Sequence, residues 1–106
     1  MRNFILALIS GLLFYACSGR QACTGATSSY SSINSKIVSA QCLSCHSDMG
    51  TYSGFIGNNR ISAGNLSASQ VYVRLNSGDM PKDKGQLCEA DIAAVSAWIQ
   101  AGALNN

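Results

Sequence analysis

Histidine occurs once in these 106 residues, proline once and tryptophan once, and charge is scarce, with seven Lys or Arg against five Asp or Glu. A chain this close to neutral has neither the basic footprint that holds nucleic-acid phosphates nor a basic face for a membrane surface. One histidine rules out any centre built from two imidazoles of this chain. It also leaves a structural zinc site, which wants four ligands in paired clusters, short of donors. No apolar run reaches the roughly 20 residues of a membrane-spanning helix. The longest, residues 4–15, follows Arg2 and is too short to span comfortably. No internal repeat is visible.

What the chain has in excess is cysteine, five in all. Such a number is unusual where thiols stay reduced and fits an oxidising compartment. A domain below about 100 residues rarely stabilises itself by burial alone and gains from a disulfide, a metal or a cofactor. Arg2 and the apolar run that follows read as an export signal over residues 1–16. Ala16 before Cys17 has the form of a bacterial lipoprotein signal, in which Cys17 is lipidated and begins the mature chain, anchoring it to a membrane. Ordinary cleavage nearby, or an uncleaved anchor, is the alternative. Removing residues 1–16 takes away Arg2 alone among the charges, leaving six basic and five acidic residues.

Residues 17–32 are rich in Ser, Thr, Gly and Ala, the composition of a flexible tether, and residues 33–106 form the domain. Ile33, Ile37, Val38 and Ala40 recur at helical spacing, predicting a helix over residues 32–42. From 47 to 64, glycines with Asn and Ser break every periodicity, predicting loop with short turns. Ser67 and Gln70 fit a capping box that opens a short helix reaching about residue 76. After a second loop, Glu89 and Asp91 open a last helix whose face repeats Ile92, Val95 and Ile99 beside Trp98, with Gly102 closing it.

Residues 42–46 read Cys42-Leu43-Ser44-Cys45-His46, the C-x-x-C-H pattern of c-type haem attachment. Two thiols three residues apart match the two vinyl groups of one porphyrin, and the adjacent imidazole then becomes the proximal iron ligand. A redox C-x-x-C expects a preceding strand, where here a helix is predicted. With no second histidine, the distal ligand is Met, Lys, water or nothing. Met1 leaves with the signal and Met49 lies too close to His46 to reach the opposite face of the ring. Met80 remains, before Pro81 in the second loop; its alternative role is to fill a gap in the core. With His46 and Met80 both bound, no coordination site is open to substrate, and the expected activity is one-electron transfer rather than catalysis. With Met80 unbound, a five-coordinate haem sensor or enzyme is the alternative, and a zinc-binding structural module without redox work is a third. Setting aside the motif thiols and Cys17 leaves Cys23 and Cys88, expected to pair in a disulfide or else to stand as two independent thiols. Arg60, Tyr52 and Arg74 are candidates to meet the propionates of a haem.

At CLSCH, DMPK and VSAWIQAGALNN the chain resembles the short monohaem cytochromes c of bacterial envelopes, particularly small lipoprotein forms, over residues 23–106. The resemblance implies an all-α cytochrome c fold, with three main helices around one covalent haem c and irregular connecting loops. It implies an attachment helix packed on a terminal helix ending in Trp98, Ile99, Gly102 and Ala103, with Met80 of the Met-Pro pair as sixth ligand. Similar lipoproteins carry one Cys before the first helix and one at the start of the last, as Cys23 and Cys88 stand here. The implied role is that of an electron carrier in the bacterial periplasm or cell envelope, serving redox partner proteins. The sequence departs from many cytochromes c in having no Pro shortly after the motif to fix the imidazole, so a carbonyl between residues 47 and 55 is expected to do so.

Overall fold

The structure, a computed structural model, describes residues 19–106. The expected signal over 1–16 and the lipidation at Cys17 lie outside the described residues. The first helix, α1, runs without a break through an α-helical turn Tyr30–Ile33, a π-helical segment Asn34–Val38 and a final turn Ser39–Gln41. A 3-10 turn, Ser47–Gly50, precedes α2 (Tyr52–Ile56); α3 (Gln70–Ser77) and α4 (Glu89–Gln100) follow. No strand occurs among the described residues, so the fold is all-α, with four helices where three were expected.

Local chemistry explains each boundary. Ser29 caps α1 by accepting the Ser32 N–H at 3.2 Å. Within α1 the Ser39 hydroxyl lies 2.8 Å from the Asn34 carbonyl and 2.9 Å from that of Ser35, and the Ser39 N–H also reaches back to Asn34. A hydroxyl bonded to the preceding turn loosens the regular ladder, and the widened turn lets adjacent Ile37 and Val38 both face the core. The extra helix α2 arises in the stretch predicted to be loop. Thr51 caps it by accepting the Gly54 N–H at 3.1 Å, and Gly54 leaves no room for a Cβ against the Asp48 carbonyl. Its Phe55, 1% exposed, supplies the burial that the glycine-rich periodicity concealed.

The expected capping box at α3 does not form. Ser69 rather than Ser67 is the N-cap, and its fully buried hydroxyl turns away from the helix, accepting the Ser62 N–H at 2.8 Å and lying 2.8 Å from the Asn65 carbonyl. The hydroxyl of Ser69 is itself buried and takes its partners from the preceding loop, while the helix end stays in reach of water.

Trp98 of α4 is the centre of the core. Its ring stacks on Phe55 with centroids 5.7 Å apart and lies 6.2 Å from Tyr30 of α1. It thus joins the terminal helices, and its indole N–H donates to the Leu104 carbonyl at 2.8 Å. Gly102, at φ 110°, lets the chain turn back over that ring, and the Ala103 N–H closes on the Trp98 carbonyl at 2.9 Å.

The N-terminal segment differs most from expectation. Residues 20–24, read as part of a tether, are fastened along residues 85–91. Cys23 and Cys88 form a disulfide with Cα atoms 5.2 Å apart. The Gln21 N–H donates to the Gln86 carbonyl at 2.8 Å, Arg20 to the Leu87 carbonyl at 3.0 Å, and Thr24 to the carboxylate of Asp91 at 3.1 Å. That carboxylate is 1% exposed. The segment has few apolar side chains, so its composition resembles a linker, but hydrogen bonds and a covalent bridge need no apolar surface. The bridge closes a loop of 65 residues. Replacing Cys23 and Cys88 together by Ala is expected to lower the unfolding free energy by roughly 4 kcal/mol on the chain-entropy account. Urea unfolding measures this, and a loss below about 1 kcal/mol would show the backbone contacts alone to suffice. Among the described residues no helix is long and apolar enough to cross a membrane.

Candidate functional site

α1 ends at Gln41, and the chain then turns tightly on itself. The Cys45 and His46 N–H groups both donate to the Cys42 carbonyl, at 3.2 and 2.8 Å. The C-x-x-C-H residues therefore form a single turn continuing from the helix, one edge of a cleft of about 620 Å³. A cavity of this size lies within the range that holds cofactor-sized molecules. Cys42, Cys45 and His46 line it, and Met80 lines the same cleft from the other loop. The structure thus brings together all four side chains singled out in the sequence for the haem site.

The Met80 loop is held over the cleft by hydrogen bonds rather than by regular structure. Gly78, at φ 83°, ends α3, and the Met80 N–H reaches back to the Arg74 carbonyl at 3.2 Å. Arg74 in turn pairs with Asp79 at 2.6 Å. The Gln86 side-chain amide donates to the Leu75 and Asn76 carbonyls, each at 3.1 Å, and Lys84 Nζ donates to the Ala40 carbonyl at 3.2 Å. This last contact ties the loop to the helix turn just before Cys42. On that same edge the side chains of Gln21 and Gln41 bond reciprocally, at 2.9 and 2.7 Å.

Cys42 and Cys45 carry free thiols, and Cys23 and Cys88 are paired with each other. Cys45 is exposed and Cys42 half-buried. Burial pushes the Cys42 thiol up to about 11, against an opposing pull from the positive charges of Lys84 and Arg60. Asp48 lies the other way: its hydrogen bond from Arg60, aided by that cation's charge, holds its carboxyl below the usual carboxylate range. Met49, excluded above as a ligand, is 5% exposed and packs where core and cleft meet.

Of the three side chains considered for propionates, Arg60 and Arg74 line the cleft. Tyr52 does not, its hydroxyl being committed to the Ala103 carbonyl at 2.6 Å. Lys82 and Lys84 also line it and were not singled out, although basic residues so soon after the Met-Pro pair were a visible signal. Four cationic side chains and no carboxylate line this cleft. Arg60 and Arg74 are paired with Asp48 and Asp79, and the remaining lysines suit a ligand with acidic groups.

The expected carbonyl partner of the imidazole is not found. Among the described residues no carbonyl between positions 47 and 55 accepts a hydrogen bond from the His46 ring. Nor, among the described residues, do three His, Cys, Asp or Glu side chains converge as a cage for a bare metal ion. The soft and imidazole donors that share the cleft are the Cys42 and Cys45 thiols, the His46 imidazole and two thioethers, of which Met80 comes from the remote loop and Met49 is packed into the core. They match a metal-bearing macrocycle, which brings four ligands of its own and asks the protein for covalent anchors and axial donors. Set against protein-family models, curated proteins and solved structures, the chain matches none.

Proposed function

We propose that this protein is a monohaem c-type cytochrome, an exported one-electron carrier of a bacterial envelope with the cytochrome c fold. In this reading Cys42 and Cys45 hold haem c through thioethers, His46 is the proximal ligand and Met80 the distal one. The observation that carries it is the meeting of a C-x-x-C-H turn and a methionine from a remote loop in one cleft of sufficient size. Bound there, haem supplies an Fe(III)/Fe(II) couple that takes and gives one electron.

The chain's own residues account for the rest. A His/Met pair favours the reduced iron more than two histidines would, because a thioether is a soft ligand. The hydrogen bonds from the Met80 N–H to the Arg74 carbonyl, from the Gln86 amide to the Leu75 carbonyl and from Lys84 to the Ala40 carbonyl hold the Met80 loop in place, so that the methionine is presented without large rearrangement. Lys82 and Lys84 offset the negative charge of propionates, Arg60 and Arg74 being paired with Asp48 and Asp79. The buried Met49 and Leu75 line the cleft and keep water from its inner side. The envelope location and the anchor at Cys17 belong to the same reading and rest on the N-terminal sequence. Redox proteins of the envelope are the partners it requires.

Absorption spectra of the matured protein, oxidised and reduced, test this function. The expected result is a reversible low-spin haem c spectrum, with carbon monoxide binding slowly or not at all to the reduced form at neutral pH. Rapid carbon monoxide binding to the native protein would instead support a five-coordinate ligand-binding haem.

A further inference from the structure

Among the described residues the His46 ring has no carbonyl partner, yet the segment that follows it is not loose. The Arg60 guanidinium grips Asp48, two residues beyond His46, through two hydrogen bonds: NH1 to Oδ2 at 2.7 Å and NH2 to Oδ1 at 3.3 Å. NH1 also donates to the Gly54 carbonyl in α2 at 2.8 Å. The Arg60 backbone is tied on both sides, its N–H to the Gly57 carbonyl at 3.0 Å and its carbonyl to the Val71 N–H of α3 at 3.0 Å. The Met49 N–H in turn closes on the His46 carbonyl at 3.0 Å, completing the 3-10 turn that Asp48 belongs to. One residue therefore joins the turn after His46 and the helix α2 through its side chain and the helix that leads to Met80 through its backbone, and it lines the cleft.

We propose that Arg60 is the positioning residue for His46, its forked grip on Asp48 and Gly54 setting the orientation of the imidazole. This inference rests on the haem reading above and adds to it the device that fixes the proximal ligand. A surface ion pair would ordinarily carry little weight. This one differs in geometry. The Arg60 side chain is only 18% exposed, both guanidinium nitrogens NH1 and NH2 are engaged, and the planar fork matches a carboxylate in a way lysine cannot. Since Asp48 neutralises Arg60 at close range, the net charge that the pair presents to the iron is small, and position is what it contributes.

Three variants of the matured holoprotein separate position from charge: Arg60→Met, Asp48→Asn and Arg60→Lys. The readouts are the low-spin EPR signal of the oxidised form, which responds to the orientation of the axial ligand planes, and the reduction potential. Positioning predicts that all three broaden or split the EPR signal, and that Arg60→Met and Asp48→Asn shift the potential in the same direction. A purely electrostatic role predicts opposite shifts, downward on losing the cation and upward on losing the anion, with Arg60→Lys like the wild type. That pattern would overturn the proposal. So would unchanged EPR signals and potentials with only a lower melting temperature, the outcome for a merely structural tie. A wild type without any haem signal would instead defeat the proposed function itself, and the two failures are therefore distinct.

Discussion

Changing Cys42 and Cys45 together to Ala is expected to leave the chain with no covalently bound haem after denaturation, even in a host with cytochrome c maturation. Both thiols are free and line the cleft, and the other described cysteines are consumed in the Cys23–Cys88 disulfide, so no substitute thiol is at hand among the described residues. The turn that presents them is set by backbone hydrogen bonds to the Cys42 carbonyl, which alanine leaves intact. The loss is therefore one of attachment chemistry rather than of local geometry. The paired variant Cys23→Ala with Cys88→Ala is the control: it should be less stable yet still carry haem. Staining of denatured protein on a gel distinguishes the two, and haem retained by the Cys42/Cys45 variant would contradict the assignment.

Changing Met80 to Ala should open the distal side. The reduced variant is expected to bind carbon monoxide rapidly where the wild type does not, and its reduction potential should fall by on the order of 0.1 V or more, a fraction of the ~0.8 V that axial ligands span. The loop bearing Met80 is held through the Met80 backbone N–H, Gln86 and Lys84, none of which the substitution removes. The effect should thus be confined to ligation, with little change in the helical far-ultraviolet signal. Equal carbon monoxide kinetics and equal potentials in variant and wild type would assign Met80 to packing alone.

Much of this arrangement was legible in the sequence where chemistry is encoded in short spacing. The C-x-x-C-H run identified its own residues, and counting cysteines pointed to Cys23 and Cys88, which the structure joins. The periodicity of Ile92, Val95 and Ile99 located α4, and Trp98 stands between the terminal helices as its size and place suggested. What escaped notice depends on partners far along the chain. α2 was concealed because Gly54 and Gly57 mask the single buried anchor, Phe55. Ser69 could not be told from Ser67 as a cap, since the difference lies in the burial of Ser69 against Ser62 and Asn65 of the preceding loop. Residues 20–24 looked like a tether because their fastening to residues 85–91 uses hydrogen bonds and one disulfide, which leave no hydropathy pattern. The Arg60 grip on Asp48 was hidden for the same reason. The two lie twelve residues apart across a helix that was not predicted.

The central claim is that one haem is bonded to this polypeptide through Cys42 and Cys45. The mass of the matured protein, denatured in acid so that any non-covalent cofactor is released, tests it most directly. The account predicts the processed chain, with or without a lipid, plus one haem, and the added mass should localise to the peptide containing Cys42 and Cys45. A mass equal to the processed chain and its lipid alone would contradict it.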